Sequence, residues 1–451
     1  MQTALVILAA GMGSRMKSHL PKVLHAVGGL SLIGHALRSG AALDPARTIV
    51  VTGHGAEAVE AEVARLSPDA ICVRQVQQLG TGHAVDQARA ALADFEGGVV
   101  ILYGDTPFIS ADTLDALSRS DADVTVLGFD AENPARYGRL ITDGDRLLNI
   151  VEAKDAGADE LAITLCNSGV MAAGRAVMFD LIAQLDTNNA SGEYYLTDLP
   201  GLANAAGLIA GVVTCTEAET LGINSRADLA AAEGVFQRAC RNRAMAGGAT
   251  LQDPLSTYFS YDTVLGQDVI VGPNVVFGVG VTVESGAEIR AFSHLEACHV
   301  GGGAQVGPYA RLRPGAELAQ GARIGNFVEI KNATIASGAK VNHLSYVGDA
   351  SVGAEANIGA GTITCNYDGV MKHRTEIGAR SFVGSNTLLV APVKMGEESM
   401  TASGTVVTQD IPDGDMAVGR ARTVNKPGFA RKLMQVLRAK KAKAQNMKRG
   451  S

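Results

Sequence analysis

The chain has 451 residues, of which 47% are hydrophobic, 19% are charged and only 4% are aromatic. This composition allows a large buried core and excludes an intrinsically disordered chain. The 53 glycines are unusually many, but with only 13 prolines and no repeating Gly-X-Y triplet they do not indicate collagen. We therefore expect the glycines in tight turns, or where the backbone closely approaches another group.

The net charge of −7 is distributed unevenly along the chain. Eleven lysines and arginines and no acidic residue lie between Met416 and Ser451, so the rest of the chain is strongly acidic. A basic tail can bind nucleic acid or anionic lipid, but it can also be solvated or contact an anionic ligand. No nucleic-acid-binding motif is present. We expect no nucleic acid and no membrane as partner, and the role of the tail stays open.

The N-terminal apolar run from Ala4 to Ala10 has no basic residues before it, and no later stretch has the length of a membrane span. The run therefore predicts a buried strand rather than a signal peptide. Six cysteines are scattered without a CxxC pair, which predicts neither a zinc site nor a disulfide framework. We expect a cytoplasmic protein.

Up to about residue 225, apolar strand patterns alternate with amphipathic helix patterns. The strand patterns are Ala4–Ala10, Thr48–Thr52, Ala70–Val73, Val99–Tyr103 and Val124–Phe129. The helix patterns are Ala56–Leu66, His83–Leu92 and Ala111–Leu117. This alternation predicts a mostly parallel sheet with helices on both faces and ligands at the carboxyl ends of the strands. A long connecting helix is predicted next, from Ser225 to about Ala246, with Ser225 as its N-cap.

After this helix, apolar residues recur at every sixth position, with a few shorter steps. The 21 positions are Leu265, Val271, Phe277, Val283, Ile289, Leu295, Val300, Val306, Leu312, Leu318, Ile324, Ile330, Ile335, Val341, Val347, Val352, Ile358, Ile377, Val383, Leu389 and Met395. Glycine directly follows 12 of them, where we expect the chain to turn sharply. A hexapeptide period predicts triangular coils that stack into a parallel β-helix. The period is interrupted between Gly359 and Lys372, where we expect a protruding loop that reaches a ligand or another subunit.

A glycine-containing loop with nearby basic residues follows the first predicted strand. Its sequence from Leu8 is LAAGMGSRM, and Pro21-Lys22 comes shortly afterwards. Backbone N–H groups of such loops cradle phosphates, and Arg15 and Lys22 can neutralise their charge. Asp105 ends a buried strand, where an unpaired carboxylate is costly, so a metal partner is expected.

These motifs resemble the sugar-phosphate nucleotidylyltransferases, which join a sugar 1-phosphate to a nucleoside triphosphate and release pyrophosphate. The resemblance implies that Arg15 and Lys22 draw charge from the triphosphate and that Asp105 and Asn224 hold Mg²⁺. It implies uracil contacts from Gln75, Gly80 and Thr81, and sugar contacts from Gly138, Glu152 and Asn167. The remaining implied UTP or UDP-sugar contacts are Leu8, Ala9, Ala10, Gly11, Tyr103 and Gly104.

A second group of polar residues occurs at coil corners that lack glycine. Arg313 follows Leu312 and Lys331 follows Ile330, so the two cations should stack on successive coils, where a phosphate would relieve their repulsion. Two solvated surface cations are the alternative. His343 lies nearby in sequence, and histidine titrates near neutral pH. Cys365 fits a small residue packed in a coil better than a nucleophile.

This second group resembles the bacterial bifunctional uridyltransferase/acetyltransferases that make UDP-N-acetylglucosamine, a cell-wall precursor, and the resemblance covers nearly the whole chain. It implies that His343 is the general base for acetyl transfer to glucosamine 1-phosphate, with Glu329 orienting it. The implied sugar-phosphate ligands are Arg313, Lys331, Tyr346, Asn357 and Lys372. The implied acetyl-CoA contacts are Ala360, Asn366, Tyr367, Ser385, Ser403 and Arg420. It also implies a homotrimer assembled through the β-helix.

The resulting expectation is an α/β protein in four parts. Residues 1–224 form a Rossmann-like uridyltransferase domain, 225–246 a linker helix, 247–425 a left-handed parallel β-helix acetyltransferase domain, and 426–451 a basic tail. Its expected small-molecule partners are UTP, sugar 1-phosphates and acetyl-CoA. The alternative is a sugar-nucleotide pyrophosphorylase with one activity, whose β-helix only oligomerises.

Overall fold

The computed structural model describes residues 2–449; Met1 and the last two residues of the expected tail, Gly450 and Ser451, lie outside the described residues. The chain divides into two compact units. The first comprises residues 1–264 and 276–281, and the second comprises residues 265–275 and 282–451. No helix among the described residues is long and apolar enough to cross a membrane.

The first unit is built around a nine-stranded sheet flanked by helices. Its strands and hairpin are β1 (Thr3–Ala9), β2 (Ala26–Val27), β3 (Leu30–Ser31), β4 (Arg47–Thr52), β5 (Ile71–Arg74), β6 (Gly98–Tyr103), β7 (Val124–Asp130), β8 (Arg139–Asp143), β9 (Arg146–Val151), β10 (Leu165–Gly174) and β11 (Ala210–Cys215). Its helices are α1 (Leu32–Gly40), α2 (Ala56–Leu66), α3 (Thr81–Asp86), α4 (Ala111–Ser118), α5 (Ala158–Leu161), α6 (Arg175–Ile182), α7 (Leu199–Ala205) and α8 (Arg226–Ala246).

The strand order is β5-β4-β1-β6-β10-β7-β11-β9-β8. β1 is parallel to β4 and β6, whereas β10 runs antiparallel to both β6 and β7. Alternate residues of β1 belong to two cores on opposite faces of the sheet, with Val6 in one core and Ile7 in the other. The expected helices on both faces of the sheet are confirmed, but the expectation of a mostly parallel sheet is wrong. Along the strand order, four neighbouring pairs are parallel (β5–β4, β4–β1, β1–β6 and β7–β11) and four are antiparallel (β6–β10, β10–β7, β11–β9 and β9–β8), because β10 and the β8–β9 hairpin run against their neighbours. The helix expected over His83–Leu92 is instead α3 followed by a 3-10 turn at Ala90–Leu92.

Helix α8 is capped as its sequence predicts. The Ser225 side chain accepts from the Asp228 N–H, and the Asp228 carboxylate accepts from the backbone N–H groups of Asn224 and Ser225. The helix packs on the β2–β3 hairpin of the same unit: its Glu233 accepts from the Gly28 N–H at 2.8 Å. The Phe236 ring fills the space that a side chain at Gly28 would occupy. The cap therefore fixes Asn224 at the start of α8.

The remaining strands are short and follow the hexapeptide period. They are β12 (Thr250–Leu251), β13 (Val264–Leu265), β14 (Ile270–Val271), β15 (Val276–Phe277), β16 (Val281–Val283), β17 (Glu288–Ile289), β18 (His294–Leu295), β19 (Cys298–Val300), β20 (Gln305–Val306), β21 (Arg311–Leu312), β22 (Ala316–Leu318), β23 (Arg323–Asn326), β24 (Glu329–Ile335), β25 (Lys340–His343), β26 (Tyr346–Val352), β27 (Asn357–Ile358), β28 (Ile363–Cys365), β29 (Thr375–Ile377), β30 (Phe382–Val383), β31 (Leu388–Val390), β32 (Val393–Met395), β33 (Met400–Thr401), β34 (Val406–Val407) and β35 (Met416–Ala417). Helix α9 (Phe429–Arg449) follows them.

In the second unit these strands form the three faces of a left-handed parallel β-helix. One face runs from β14 through β17, β20, β23, β25, β27, β30 and β33 to β35. The other two meet where β24 and β26 each pass a corner, and all these pairings are parallel. Of the 21 apolar positions, all except Leu265 are buried.

The glycines that follow many of these apolar positions are explained by close packing of coils. A Cβ on Gly359 or Gly384 would lie about 2.5 Å from a backbone oxygen of the next coil. Neither glycine has a positive φ. The expected sharp turn is therefore not the reason for glycine at these two positions; the close approach of the neighbouring coil is.

Candidate functional sites

The carboxyl ends of β1, β5 and β6 surround a cavity of about 310 Å³ in the first unit. Ten of its lining residues are among the expected nucleotide contacts: Leu8, Ala9, Ala10, Gly11, Lys22, Gln75, Gly80, Thr81, Tyr103 and Asp105. Sequence reasoning missed Gln78 and Glu193, which also line the cavity. Gln78 donates to the Ala10 carbonyl at 2.7 Å and so ties its loop to the end of β1. Its position beside Gln75 was the available signal.

The expected metal ligands converge on a lysine ammonium. Lys22 Nζ forms an ion pair with the Asp105 carboxylate and donates to Asn224 Oδ1 at 3.1 Å. A side chain at Gly13 would collide with the Lys22 Cβ, so this glycine lets the loop pack against Lys22. Arg15 is exposed on the 3-10 turn Ser14–Met16. The structure thus brings Lys22, Asp105 and Asn224 together and leaves Arg15 at the surface.

The three expected sugar contacts are neighbours in space. A Cβ on Gly138 would lie 3.5 Å from a Glu152 carboxylate oxygen and 3.6 Å from the Asn167 Cβ. The Asn167 N–H donates to the Gly138 carbonyl at 2.8 Å. Burial raises the pKa of Glu152, although a hydrogen bond from Thr197 opposes the shift. This group can therefore accept hydrogen bonds from sugar hydroxyls in a partly desolvated place.

Tyr103 and Gly104 join the strand end to this cavity. Burial, followed by the charges of Asp105 and Glu152, raises the pKa of Tyr103, so its hydroxyl stays protonated. The Gly104 N–H donates to the Leu8 carbonyl at 2.9 Å, which holds the ends of β6 and β1 together. Gly169 has a φ of +90° and leaves room for the Tyr103 ring.

The second group of residues lies at one corner of the β-helix. Leu312 pairs with Ile330 on successive coils, which places Arg313 and Lys331 one above the other as expected. Arg313 forms an ion pair with Glu329 at 2.8 Å. The Glu329 carboxylate is thus engaged by the guanidinium of the neighbouring coil, and the expectation that Glu329 orients His343 stays a prediction.

Three more residues expected to bind the sugar phosphate lie at this corner or on a neighbouring face of the β-helix. Contact with Lys331 lowers the pKa of Lys372, because two ammonium groups adjoin. The Tyr346 hydroxyl occupies the space that a side chain at Gly348 would need. Asn357 begins β27 on the face that also contains His343. A dianionic phosphate would relieve the repulsion between the two lysines.

His343 and several expected acetyl-CoA contacts stand in one column along the β-helix. The β23–β25 register pairs Asn326 with His343, and Asn326 Oδ1 is 3.0 Å from His343 Nδ1. The next coils place Ala360 and Ser385 two residues after Ile358 and Val383, which also pair. Sequence reasoning missed Asn326; its spacing of one coil from His343 was the signal.

The column continues towards the end of the β-helix. The Gly404 N–H donates to the Ser385 carbonyl at 2.8 Å, so Ser403 lies on the next coil. Arg420 Nη1 donates to the Ser403 carbonyl at 2.7 Å. A cationic group therefore ends a groove-like column of small side chains that starts at His343, which suits a long anionic ligand.

Asn366 and Tyr367 belong to the loop that interrupts the coils. Asn366 is buried and donates to the Asp349 carboxylate, which also accepts from Asn332 at 2.7 Å. Burial acts to raise the pKa of Asp349, but these hydrogen bonds outweigh it and the pKa is lowered. Tyr367 is exposed. The pKa of Cys365 is raised by burial, which agrees with the expectation that it is no nucleophile.

Comparison with known proteins agrees with this division. Residues 5–189 match a family described as the MobA-like NTP transferase domain. The chain is 67% identical over 445 residues to the Bifunctional protein GlmU of Dinoroseobacter shibae, covering 98% of this chain and 99% of that protein. It is 65% identical to the protein of that name from Ruegeria sp. strain TM1040, and 60% identical to that of Paracoccus denitrificans, each covering at least 97% of both chains.

Fold, sites and relatives together define a class: a nucleotidyltransferase joined to a hexapeptide-repeat transferase in one polypeptide. Residues expected for the two halves lie in two separate places, one at the strand ends of the sheet and one at a corner of the β-helix. The chain belongs to the GlmU family of bifunctional proteins.

Proposed function

We propose that this chain makes UDP-N-acetylglucosamine in two steps. The β-helix transfers acetyl from acetyl-CoA to glucosamine 1-phosphate, and the first unit then joins the product to UTP with release of pyrophosphate. The observation that carries this proposal is that one chain holds two separate polar groups: Lys22 with Asp105 and Asn224, and His343 with Asn326. A purely oligomerising β-helix would require neither the paired histidine nor the crowded lysines at its corner.

In the uridylyl step the protein aligns two anions and neutralises their charge. The Ala10–Gly11 backbone and Lys22 face the triphosphate, and Arg15 approaches it from the exposed turn. Gln75, Gly80 and Thr81 hold the uracil. Gly138, Glu152 and Asn167 hold the N-acetylglucosamine so that its phosphate oxygen attacks the α-phosphorus of UTP, and the bond to pyrophosphate breaks.

The donor set fits a magnesium ion. Asp105 supplies a carboxylate and Asn224 an amide oxygen, and a cationic group already lies between them. Within residues 2–449 no cluster of three or more His, Cys, Asp or Glu side chains could hold a metal alone. This agrees with a hard cation that takes one or two protein oxygens and completes its shell with water and substrate phosphates. Bound there, Mg²⁺ would supply positive charge to the triphosphate.

In the acetyl step His343 removes a proton from the 2-amino group of glucosamine 1-phosphate. The amine nitrogen attacks the thioester carbonyl, the C–S bond breaks, and coenzyme A leaves as a thiolate that is then protonated. Arg313, Lys331, Tyr346, Asn357 and Lys372 hold the sugar phosphate. Ala360, Asn366, Tyr367, Ser385, Ser403 and Arg420 hold acetyl-CoA.

Exposed aromatic rings support a homotrimer assembled through the β-helix. Phe292, Tyr309 and Phe327 lie on successive coils with ring centroids 4.9 and 5.3 Å apart. Each ring is about half exposed, and each residue has a positive φ, which is rare for aromatic residues. We name these three residues the aromatic ladder. A second copy of the chain would cover it, and a trimer would close the association symmetrically.

The same proposal includes the division of the chain into four parts and its place of action in the cell. We retain 1–224, 225–246, 247–425 and 426–451 as functional parts of the chain. All six cysteines are free. This agrees with action in the reducing cytoplasm.

The experiment supplies glucosamine 1-phosphate, acetyl-CoA, UTP and Mg²⁺ to the purified protein and follows each product. UDP-N-acetylglucosamine should form only when all four are present. His343→Ala should abolish acetyl transfer and retain uridylyl transfer, and Asp105→Ala should do the reverse. A mixture of the two variants should restore the product. Equal loss of both activities in either variant would overturn the two-site proposal.

A further inference from the structure

Helix α9 is a basic amphipathic helix whose apolar side is uncovered. It spans Phe429–Arg449, and every residue from 429 to 445 is exposed. Phe429, Leu433, Val436 and Leu437 are 53%, 45%, 47% and 49% exposed, respectively. Their spacing of three to four residues places these side chains on one side of an α-helix. The first three turns therefore present a continuous apolar strip to their surroundings.

The other side of α9 is strongly cationic. The helix sequence contains eight lysines and arginines and no acidic residue. Arg431, Gln435 and Arg438 lie on the side opposite the apolar strip, and Lys432 lies at the edge of the strip beside Val436, as the 3.6-residue period requires. Lys440 projects on the apolar side, but a lysine can extend its aliphatic stem along an apolar surface and keep its ammonium in water.

Charge distinguishes three partners for this helix: a second copy of α9, nucleic acid and an anionic bilayer surface. A second copy of α9 would bring sixteen cationic side chains together without one acidic partner, since each helix carries eight. Nucleic acid would pair with the cations but leave the apolar strip in water. An anionic bilayer surface satisfies both sides, because the strip enters the acyl boundary while lysines and arginines contact lipid phosphates.

We propose that α9 is an interfacial helix that binds the surface of an anionic phospholipid bilayer. This is peripheral binding, so it is compatible with the finding that no described helix could span a membrane. It changes the expectation of no membrane partner, in which the basic tail was solvated or in contact with an anionic ligand. The proposal is independent of the two activities and uses no residue assigned to either site.

The test is co-flotation of the full-length protein with lipid vesicles. One set contains phosphatidylcholine alone and the other contains about 30 mol % phosphatidylglycerol. We expect binding only to the anionic vesicles, and release at about 0.5 M NaCl because salt screens the charges. A double variant, Leu433→Glu with Leu437→Glu, should bind at least about tenfold more weakly, since it removes the apolar strip.

A matched control introduces the same charge change on the polar side. Gln435→Glu with Gln445→Glu also adds two negative charges but leaves the strip intact, so it should lose much less binding. Both variants should retain both transferase activities, which shows that the rest of the chain is folded.

The proposal is overturned by any of four results. These are no binding to anionic vesicles, equal binding to both lipid compositions, equal loss of vesicle binding in the two double variants, and self-association through the strip in place of lipid binding. A fifth comparison uses single-stranded DNA as probe. If DNA binds, if the Leu433→Glu/Leu437→Glu variant leaves this unchanged, and if no vesicles bind, then nucleic acid is the partner and the proposal fails.

Discussion

Asn326 Oδ1 lies 3.0 Å from Nδ1 of His343, which occupies the same position on the next coil of the β-helix. A carbonyl oxygen of an amide can only accept a hydrogen bond, so this pairing places the imidazole proton on Nδ1. Nε2 is then free to accept a proton from a substrate amine. Asn326 is thus a positioning residue that selects the tautomer of the proposed base.

We expect Asn326→Ala to lower kcat for acetyl transfer by about tenfold, because the imidazole loses its orientation and tautomer preference. The KM for glucosamine 1-phosphate should change little. Asn326→Asp should restore much of the rate, since it retains an acceptor. Its carboxylate also favours the imidazolium, so the acid limb of the pH–rate profile should move to higher pH. Steady-state kinetics across pH measure both effects.

Glu329→Gln is the matched comparison for that experiment. Since Glu329 pairs with Arg313, its loss should alter the KM for the sugar phosphate and leave the pH profile in place. An unshifted profile in Asn326→Asp, together with a shifted one in Glu329→Gln, would return the orienting role to Glu329.

The sequence period predicts which residues stack only where the step length is known. Arg313 and Lys331 are separated by three six-residue steps, so their stacking was predictable, and the β21–β24 register confirms it. Asn326 and His343 are one coil apart but span a shorter step near Ile335, which breaks a count by sixes. Ion pairs are also hard to predict from the sequence. The pairing of Glu329 with Arg313 depends on side-chain geometry, which the spacing of residues does not determine.

The first unit shows the same division between predictable and unpredictable features. The glycine loop and the ends of β5 and β6 were predictable as a ligand site, because carboxyl ends of parallel strands meet at one edge. The position of Lys22 between Asp105 and Asn224 was not predictable from the sequence. The approach of Lys22 to these two residues depends on how the 3-10 turn Lys22–Leu24 packs, which no periodic pattern encodes.

The Lys22 ammonium should compete with a divalent cation for Asp105. We expect Lys22→Met to bind Mn²⁺ more tightly in the absence of nucleotide, by about tenfold, because the ammonium no longer neutralises the carboxylate. Uridylyl transfer should nevertheless fall at least about a hundredfold, since a cation facing the triphosphate is lost. Mn²⁺ titration by electron paramagnetic resonance measures the first effect. Unchanged Mn²⁺ affinity would contradict a shared position for lysine and metal.

Phosphate binding at the β-helix corner should take up a proton at alkaline pH. The adjoining Lys331 lowers the pKa of Lys372, so part of the Lys372 population loses its charge at a pH where an isolated lysine keeps it. A bound phosphate stabilises the charged form and raises that pKa again. The KM for glucosamine 1-phosphate should therefore rise with pH over the alkaline range in which unliganded Lys372 loses its proton.

Calorimetry in two buffers of different ionisation enthalpy measures this proton uptake. Lys331→Met should strongly reduce the uptake, because without the neighbouring ammonium Lys372 is already mostly charged before phosphate binds. Equal uptake in the variant and the unaltered protein would contradict the coupling. Lys394→Met, in β32 beside Glu376, is a control that should leave the uptake unchanged.

Gly348 leaves the space that the Tyr346 hydroxyl occupies, so a methyl group there should displace the ring. We expect Gly348→Ala to raise the KM for glucosamine 1-phosphate by about tenfold with the uridylyl activity unchanged. Gly302→Ala is the control: its Cβ would meet its nearest neighbours at an ordinary 3.5 Å. Steady-state kinetics of both variants decide the matter, and an equal effect of the two would show general destabilisation of the coils.

The aromatic ladder should hold subunits together. Phe327 is 57% exposed and stacks on Tyr309, so a charge there would be buried in any interface that covers the ladder. We expect Phe327→Asp to convert a trimer into monomers in sedimentation experiments, whereas Phe327→Leu should remain assembled because it keeps apolar contact. If acetyl-CoA binds between subunits, the monomer should also lose acetyl transfer while its uridylyl transfer persists. A trimeric Phe327→Asp protein would place the interface elsewhere, and an unaltered protein that is monomeric would reject the homotrimer itself.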